Sequence, residues 1–516
     1  MSKKKARDIV TIDFETDPFK YGEKVFPFCA GIYNGENFQY IWGENCADIL
    51  IKTLDSFPPS VIYAHNGGKF DFHFLLKYFN GAIKLVKGRV LEAKRGNNLF
   101  RDSYGILPFP LSAYKKDEFD YSLMVKDKRE EHKEDIIKYL KNDCIYLHEL
   151  VTGFRNEFGD ALTIGGASLK ELRSICPIEN ISQSTDEFIR PFYMGGRVQC
   201  FETGILTGDF KIPDVNSMYP SVMKNFSHPI GSTYDNNNEL TEFTDFMELT
   251  CTSKGALPLR DDYGRLTFPH TRARFLCTGH EVRAALDLNL ISDMIIHSAL
   301  TCDERGDFSA FVDKFYDLRV KASEENDLLR KIFYKYILNS AYGKTGQNPE
   351  NFADYIIDDI DVDHFDKYEP HNAGPEWIVW EKPTSLLTYY NVGVAASITG
   401  AARSVLLRGI HAAKRPVYCD TDSLICEEFY GDLDEKRLGA WKIEASGTIV
   451  AIAGKKLYSV LDASFDCVKK AHKGLRISAG DILNVANGGH CEYAADAPIF
   501  KFGEQIFNKP KLVRRT

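Results

Sequence analysis

Val417–Cys426 reads VYCDTDSLIC, an apolar, strand-like run interrupted by two aspartates two residues apart. Side chains of a strand alternate between its faces, so Asp420 and Asp422 would project from one face with Thr421 turned away. Carboxylates that close disfavour each other's ionised form unless a cation or a donor compensates them. The stretch therefore reads either as ligands for a divalent metal or as a solvated turn, where Asp is also common.

The chain's 516 residues exceed what one hydrophobic core can hold, which predicts roughly three or four domains or subdomains. Apolar content is 44%, no apolar run reaches 18 residues, and the start MSKKKARDIVTIDFE lacks the apolar core of a signal peptide. A globular protein without membrane spans, neither secreted nor exported, is expected. The twelve cysteines form no CxxC pair and no compact Cys/His set, a pattern of reduced thiols rather than of disulfides or zinc. The net charge of −9 hides an asymmetry. Residues 351 to 370 carry seven acidic side chains and one Lys, whereas 452 to 477 carry six Lys/Arg and two Asp, so a polyanion could still find basic surface.

Strand patterns at Ile9–Phe14, Phe28–Tyr33 and Phe38–Trp42 are followed by VIYAHN as a strand and FDFHFLLKYF as a helix. A helix over 133 to 152 closes a first α/β unit near residue 160. Beyond it the pattern predicts a strand into PDVNSMYP, an irregular region from about 226 to 315, a helical stretch from about 308 to 343, and the opening hairpin.

In TIDFETDPF, Asp13 and Glu15 share one strand face, with Ile12 and Phe14 on the other. YAHNGGKFDFHFLL places Asp71 at a helix start, and IIKYLKNDCIYL places Tyr139 and Asp143 one helical turn apart. Four carboxylates on distinct elements could converge on a pair of divalent cations, which activate water and stabilise the leaving oxygen of a phosphodiester. In order and spacing these motifs resemble the three exonuclease motifs of the DnaQ-like, RNase H-type proofreading domains. The resemblance implies that Asp13, Glu15, Asp71 and Asp143 hold metal and that Tyr139 orients the attacking water. It also implies that Asn66 and Phe70, with Tyr63, His65 and Phe74, grip a single-stranded DNA 3′ end.

FKIPDVNSMYPSVM reads as a strand ending at Asp214, a turn, and a helix capped by Ser217. In KIFYKYILNSAYGK, helical up to Gly343, the residues Lys331, Lys335, Asn339 and Tyr342 fall on one face while Phe333, Ile337 and Ala341 take the opposite one. Two ammonium groups one turn apart, then an amide and an aromatic ring, suit a triphosphate and its nucleoside. DVNSMYP, KYILNSAYG and YCDTDS, in that order, resemble the three polymerase motifs of family B DNA polymerases. By that resemblance Asp214 and Asp422, with the carbonyl of Val215, hold two catalytic Mg²⁺ ions, for which Mn²⁺ could substitute, and Asp420 supports them. Two further ions belong to the exonuclease site. Tyr219 would pack against the sugar and Tyr342 near the nascent pair, while Lys331, Lys335 and Lys321 or Arg319 neutralise the dNTP phosphates.

YMGGR, with Tyr193, Gly195 and Gly196, resembles the YxGG linker of protein-primed members, and KKLYS, with Lys456 and Tyr458, resembles their primer-contacting KxY. Lys116 in KDEFDY and Ser103 in RDSYGILPF resemble an exonuclease-site lysine and a single-strand-binding segment of the same branch. Pro213, just before Asp214, departs from the branch's pattern. The implied fold is α/β and α+β, multidomain: an RNase H-like exonuclease domain (1–160) followed by a right-hand polymerase with two insertions. The polymerase divides into palm (161–225 and 390–478), fingers (316–344) and thumb (479–516). The insertions, 226–315 for terminal-protein contact and 345–389 for processivity and strand displacement, rest on length. The basic groups Lys455, Lys456, Lys469, Lys470, Lys473 and Arg476 and the tail KPKLVRRT would track duplex phosphates.

The expected activity is DNA-templated addition of dNTPs to a primer 3′-hydroxyl with 3′-5′ proofreading, in a monomer acting on primer-template DNA. A terminal protein as primer, no membrane, and the host cytoplasm of a virus or linear plasmid complete the expectation. The alternatives are a family B enzyme using ordinary nucleic-acid primers and a non-catalytic replication scaffold of the same fold.

Overall fold

The strands read between residues 8 and 43 form in the computed structural model, which describes residues 7–115, 118–382, 388–472 and 474–515. Asp8–Thr16 is the pivot of the first sheet, parallel to Ser60–Ala64 and antiparallel to Pro27–Tyr33. Flanked on both edges, it buries Val10, Ile12 and Phe14. Among the described residues this sheet has ten strands, and three of them, Tyr355–Asp359, Glu369–Ala373 and Trp377–Glu381, come from the segment expected as the second insertion. They join through Tyr355–Ile357, which pairs with residues 81–83.

The predicted helix FDFHFLLKYF is instead a series of 3₁₀ turns, Gly67–Lys69, Asp71–Phe74 and Leu76–Tyr78. Asp71, Phe72, His73, Leu75 and Leu76 are all buried, so no single apolar stripe exists for an α-helix to present, and short 3₁₀ turns follow the irregular packing. The helix Lys133–Phe158 runs past its expected end and stops at Gly159, whose φ of +75° suits glycine.

A second sheet has the order Cys467–His472, Leu457–Leu461, Trp441–Gly454, Gly204–Val215, Ser423–Phe429, Ala413–Asp420, Val198–Cys200. Pro213 has no N–H to give the ladder, and the neighbouring strand shifts register between Ile443 and Ala445 opposite it. The small-residue helix Val392–His411 packs against this sheet and is buried along most of its length.

Residues 226 to 315 are not irregular. They hold a four-stranded sheet, ordered Tyr234–Asn236, Ile291–Cys302, Phe246–Lys254, His270–Thr278, and the helix Gly279–Asp287 with a Thr278/Glu281 capping box. The long helical stretch is two helices, Ser309–Glu324 and Leu328–Thr345, broken at Asn326 (φ +55°), with Asp327 capping the second. Gly343, expected just beyond the helix, lies within its last turn, and Gly346 is the C-cap.

One apolar core joins Val61, Leu147 and Phe154 of the first unit to Phe333, Ile337 and Leu424 of the second, so the two units share an interior. Ile337 is fully buried there, and Ile337→Ala should lower stability by about 2–5 kcal/mol, read as a lower urea midpoint. An unchanged midpoint would contradict this packing. At the C-terminal end, the Gln505 side chain pairs with both the N–H and the C=O of Val25, at 2.7 and 2.6 Å. All twelve cysteines are free. No helix among the described residues is long and apolar enough to cross a membrane.

Candidate active sites

The first carboxylate centre follows from strand alternation. Thr11, Asp13 and Glu15 face the helix Lys133–Phe158, where the Thr11 hydroxyl donates to the Cys144 carbonyl at 2.8 Å. Gly31, paired with Asp13 on the next strand, lets that helix approach, since a Cβ there would lie 2.9 Å from Leu140. The Phe14 N–H donates to Asp71 Oδ1 at 3.2 Å and holds Asp71 beside the strand. Burial, then Asp71, Glu15 and Asp143, push the Asp13 carboxyl well above its ordinary pKa. Burial, then Asp143 and Asp71, do the same to Glu15, and burial above all raises Asp71 to about 7.

Glu15 Oε1 is buried without a partner. Repelling buried carboxylates with an unpartnered oxygen fit a divalent cation. Among the described residues no three His, Cys, Asp or Glu side chains are gathered closely enough to hold an ion as they stand, so an ion would have to draw these groups together. Tyr139 stacks on Phe119 (centroids 4.7 Å apart), and its hydroxyl is 2.9 Å from that of Tyr121. Burial and the neighbouring Asp143 push its pKa up.

A cleft of about 830 Å³ opens on this centre, lined by Asp13, His65, Asn66, Arg89, Tyr104, Tyr139 and Asp143. Asn66 is left-handed (φ +59°), and its Oδ1 accepts from Arg89 Nη2 at 2.9 Å. Arg89 also pairs with Asp102 and lies over the Tyr104 ring at 4.8 Å. His65 Nδ1 is 3.0 Å from Ser103 Oγ, and burial lowers the His65 pKa to about 4.

The other residues expected to grip DNA here do not line the cleft. Tyr63 is 1% exposed, its ring turned into the shared core by strand alternation, so no base can stack on it. Ser103 is fully buried and holds the Ala64 carbonyl and His65. Phe70 and Phe74 contact each other and Phe500 of the C-terminal segment. Lys116 lies outside the described residues.

Arg89, Asp102 and Tyr104 were not singled out by sequence, because nothing in their spacing sets them apart. Asp102 is buried, and Arg89→Ala would remove its cationic partner, leaving it only the Tyr104 N–H and other backbone donors, while freeing Asn66. Degradation of a single-stranded 3′ end should fall about tenfold or more, while extension of a paired primer persists. Equal degradation by both proteins would remove Arg89 from the site.

At the second centre the opening hairpin differs from the alternation expected of it. Asp420 pairs with Ser423, so Thr421 and Asp422 form the turn itself, with Thr421 left-handed at φ +57°. The two aspartates therefore do not share a strand face. Lys456 Nζ meets both Asp420 oxygens at 2.6 and 2.7 Å, and the Tyr418 hydroxyl donates to Asp420 at 3.3 Å. Asp422 is left facing Asp214: Ser423 pairs with Asp214, and the Val215 N–H donates to the Asp422 carbonyl at 2.9 Å.

Burial, then Asp422 and Glu444, raise Asp214 to about 6 against the pull of Lys469 and Lys442. Burial foremost also raises Asp422, with Asp420 adding to it. This pair fits a divalent cation for the same reason as the first centre. Glu444 and Lys442 escaped sequence reasoning, and Lys469 was read only as a duplex-phosphate contact, because they lie on strands whose pairing no local motif reveals.

Lys456 is thus paired with Asp420 while its side chain stays 42% exposed, and Tyr458 is 4% exposed against Tyr418, so the Tyr458 ring presents no free surface to a primer. Ser217 stands at the N-cap, but it is left-handed and makes no capping bond. Tyr219 and Tyr342 stack with centroids 4.4 Å apart and planes 23° apart. Phe333, Ile337 and Ala341 are buried while Lys331, Lys335 and Asn339 are exposed, as the helical spacing predicts.

Lys331 and Arg319 line a cleft of about 400 Å³ with Asn216, Ser217 and Lys442. Lys321 instead points to Glu325, 3.9 Å away. Of the YMGGR residues, Gly196 crosses the hairpin turn so closely that a Cβ would lie 2.7 Å from Thr421 Oγ1, and the Arg197 carbonyl accepts from the Thr421 N–H at 2.8 Å. Arg403 donates to the Met194 and Gly195 carbonyls at 2.5 and 2.8 Å, and Tyr193 lies against Gly346.

Comparison with known proteins agrees with this geometry. The family described as "DNA polymerase type B, organellar and viral" matches residues 106–430. The DNA-directed DNA polymerase of Enterobacteria phage PRD1 is 44% identical over 550 aligned residues, covering 100% of this chain and 98% of the relative. The DNA polymerase of Bacillus phage phi29 is 27% identical, covering 67% of this chain and 64% of the relative. Solved structures of the phi29 enzyme, one of them with primer-template DNA and incoming nucleotide substrates, share the fold at a TM-score of 0.73 over 98 to 99% of this chain and 100% of theirs, at 16 to 17% identity. The chain belongs to the type B DNA polymerases of organelles and viruses, and is a DNA-directed DNA polymerase with the exonuclease, palm, fingers and thumb architecture of that fold.

Proposed function

We propose that this polymerase begins synthesis on a protein hydroxyl, extends the resulting primer with strand displacement, and proofreads it with the first carboxylate centre. Mg²⁺ is the ion we assign to both centres, with Mn²⁺ a substitute. Asp214 and Asp422, with the Val215 carbonyl, would hold it in synthesis, and Asp13, Glu15, Asp71 and Asp143 in proofreading. Bound there, such an ion lowers the pKa of the attacking oxygen and stabilises the leaving one.

The observation that carries the synthetic part of this reading is the juxtaposition of Asp214, near the end of its strand, with Asp422, in the turn leading into the neighbouring strand, beside the cleft lined by Lys331 and Arg319. Those cations would neutralise the triphosphate, joined by Lys335 and Asn339 from the same helical face. Tyr219 would pack against the sugar and exclude a 2′-hydroxyl, with Tyr342 behind it. His65, Asn66 and Arg89 would receive the frayed 3′ end in the other cleft. The setting we assign is the cytoplasm of the cell in which a linear viral or plasmid genome replicates.

Incubating the chain with a candidate terminal protein, Mg²⁺ and one labelled dNTP tests the priming step. Covalent label on the protein is the expected result. Extension of an oligonucleotide primer without any such label would favour an enzyme using ordinary nucleic-acid primers.

A further inference from the structure

Behind the helix Met218–Asn225, which carries Tyr219, a chain of polar side chains is closed off from solvent. His228 and Ser397 are 0% exposed and His280 is 8% exposed. His228 Nε2 lies 3.0 Å from the carbonyl of Val222, on that helix, and its Nδ1 lies 2.9 Å from Ser397 Oγ. Ser397 Oγ is 3.1 Å from His280 Nε2, and His280 Nδ1 is 3.4 Å from Arg283 Nη2. His280 and Arg283 belong to the helix Gly279–Asp287 of the 226–315 unit, and Ser397 to Val392–His411.

Proton bookkeeping gives this chain a direction. A carbonyl only accepts, so His228 Nε2 carries the proton, and burial keeps the ring neutral. Its Nδ1 must then accept from the Ser397 hydroxyl. Having spent its one proton, Ser397 accepts from His280 Nε2–H, and His280 Nδ1 accepts from a guanidinium that can only donate. With both rings neutral, the donors run from Arg283 to His280 to Ser397 to His228 to Val222, and His280 also faces the Ser227 carbonyl. The rings are fixed as well. His228 stacks on Phe308 (5.6 Å, 9°), whose N–H bonds the Met223 carbonyl at 3.0 Å, and Phe226 meets His280 edge-on at 5.2 Å.

We propose that this relay is a positioning device through which the 226–315 unit sets the placement of the Tyr219 helix, so that Ser397, His228 and His280 tune nucleotide selection without touching the nucleotide. The inference rests on the reading of Tyr219 as the sugar-contacting residue. Because Tyr219 stacks on Tyr342, a small shift of its helix is felt at the nucleotide cleft. Removing the Ser397 hydroxyl leaves two buried nitrogens, His228 Nδ1 and His280 Nε2, without the partner between them, which neighbouring backbone must move to relieve.

The test is single-nucleotide incorporation by the full chain, with dNTP and rNTP, for wild type, Ser397→Ala, His280→Gln, His280→Leu and Tyr219→Ala, with 3′-5′ degradation measured on the same preparations. Ser397→Ala should raise KM for dNTP about tenfold with kcat little changed, and narrow the dNTP over rNTP preference about tenfold. His280→Gln, which keeps a donor toward Ser397, should stay near wild type, and His280→Leu, which leaves the Ser397–His228 link in place, should shift both quantities in the same direction as Ser397→Ala but by less. Degradation should persist in all of them.

Wild-type KM and sugar preference in Ser397→Ala would overturn the proposal, as would a parallel loss of degradation, which would make the relay a general support of the fold. If Ser397→Ala does not fold, the His280 pair decides by the same criteria. Unchanged sugar preference in Tyr219→Ala would remove the sugar reading instead, and the KM values would then decide the relay.

Discussion

Asp422→Ala should reduce primer extension about a thousandfold or more, the equivalent of about 4 kcal/mol of transition-state stabilisation, while 3′-5′ degradation continues. Asp422 and Asp214 are the pair left facing each other once Lys456 has neutralised Asp420. Removing either breaks the facing pair and leaves too little negative charge to hold an ion against the positive charge of Lys469 and Lys442. The same logic separates the two hairpin aspartates: Asp420→Asn, which keeps hydrogen-bond acceptance toward Lys456, should cost far less than Asp422→Ala. Comparable losses in the two variants would contradict the division of labour seen at the turn. Steady-state extension of a labelled primer measures both.

Asp13→Ala combined with Glu15→Ala should abolish removal of a mismatched 3′ nucleotide, by about a thousandfold, while extension of a paired primer stays near wild type. The two carboxylates share a strand face with Asp71 and Asp143 close by, and the charge of Asp71 and Asp143 adds to burial in raising both. The double substitution relieves that repulsion, so the variant should be at least as stable as wild type even as it loses activity. A stability gain with lost degradation is the signature of a site built for a ligand rather than for the fold. Lower stability together with lost extension would instead mean that this strand supports both units through their common core.

What the sequence made legible was whatever local periodicity encodes. The alternation of Asp13 and Glu15 against Ile12 and Phe14 survives in the structure, because the strand is flanked on both edges and cannot slip register without turning Asp13 and Glu15 into the apolar core that holds Ile12 and Phe14. The helical spacing of Lys331, Lys335, Asn339 and Tyr342 survives because Phe333, Ile337 and Ala341 pin the opposite face in the core.

What was not legible depends on partners distant in the chain. Strand alternation put Asp420 beside Asp422, but the hairpin turns at Thr421, and an ammonium 36 residues on captures Asp420. Tyr63 and Ser103 looked like DNA contacts by their motif, yet strand direction buries both, while Phe70 and Phe74 stay partly exposed against the returning Phe500. The sheet within 226–315 was missed because strands such as ISDMIIHSALTC slip register against their neighbour and blur the two-residue period.

The most direct test places both centres on one gel: a labelled primer with a single mismatched 3′ nucleotide, annealed to template and supplied with Mg²⁺ and all four dNTPs. Wild type should trim the mismatch and extend to full length. Asp422→Ala should yield only shortened products, and the Asp13→Ala, Glu15→Ala double variant should leave the mismatch untrimmed yet extend a matched primer normally. Loss of both trimming and extension in either variant would contradict two independent carboxylate centres in one chain.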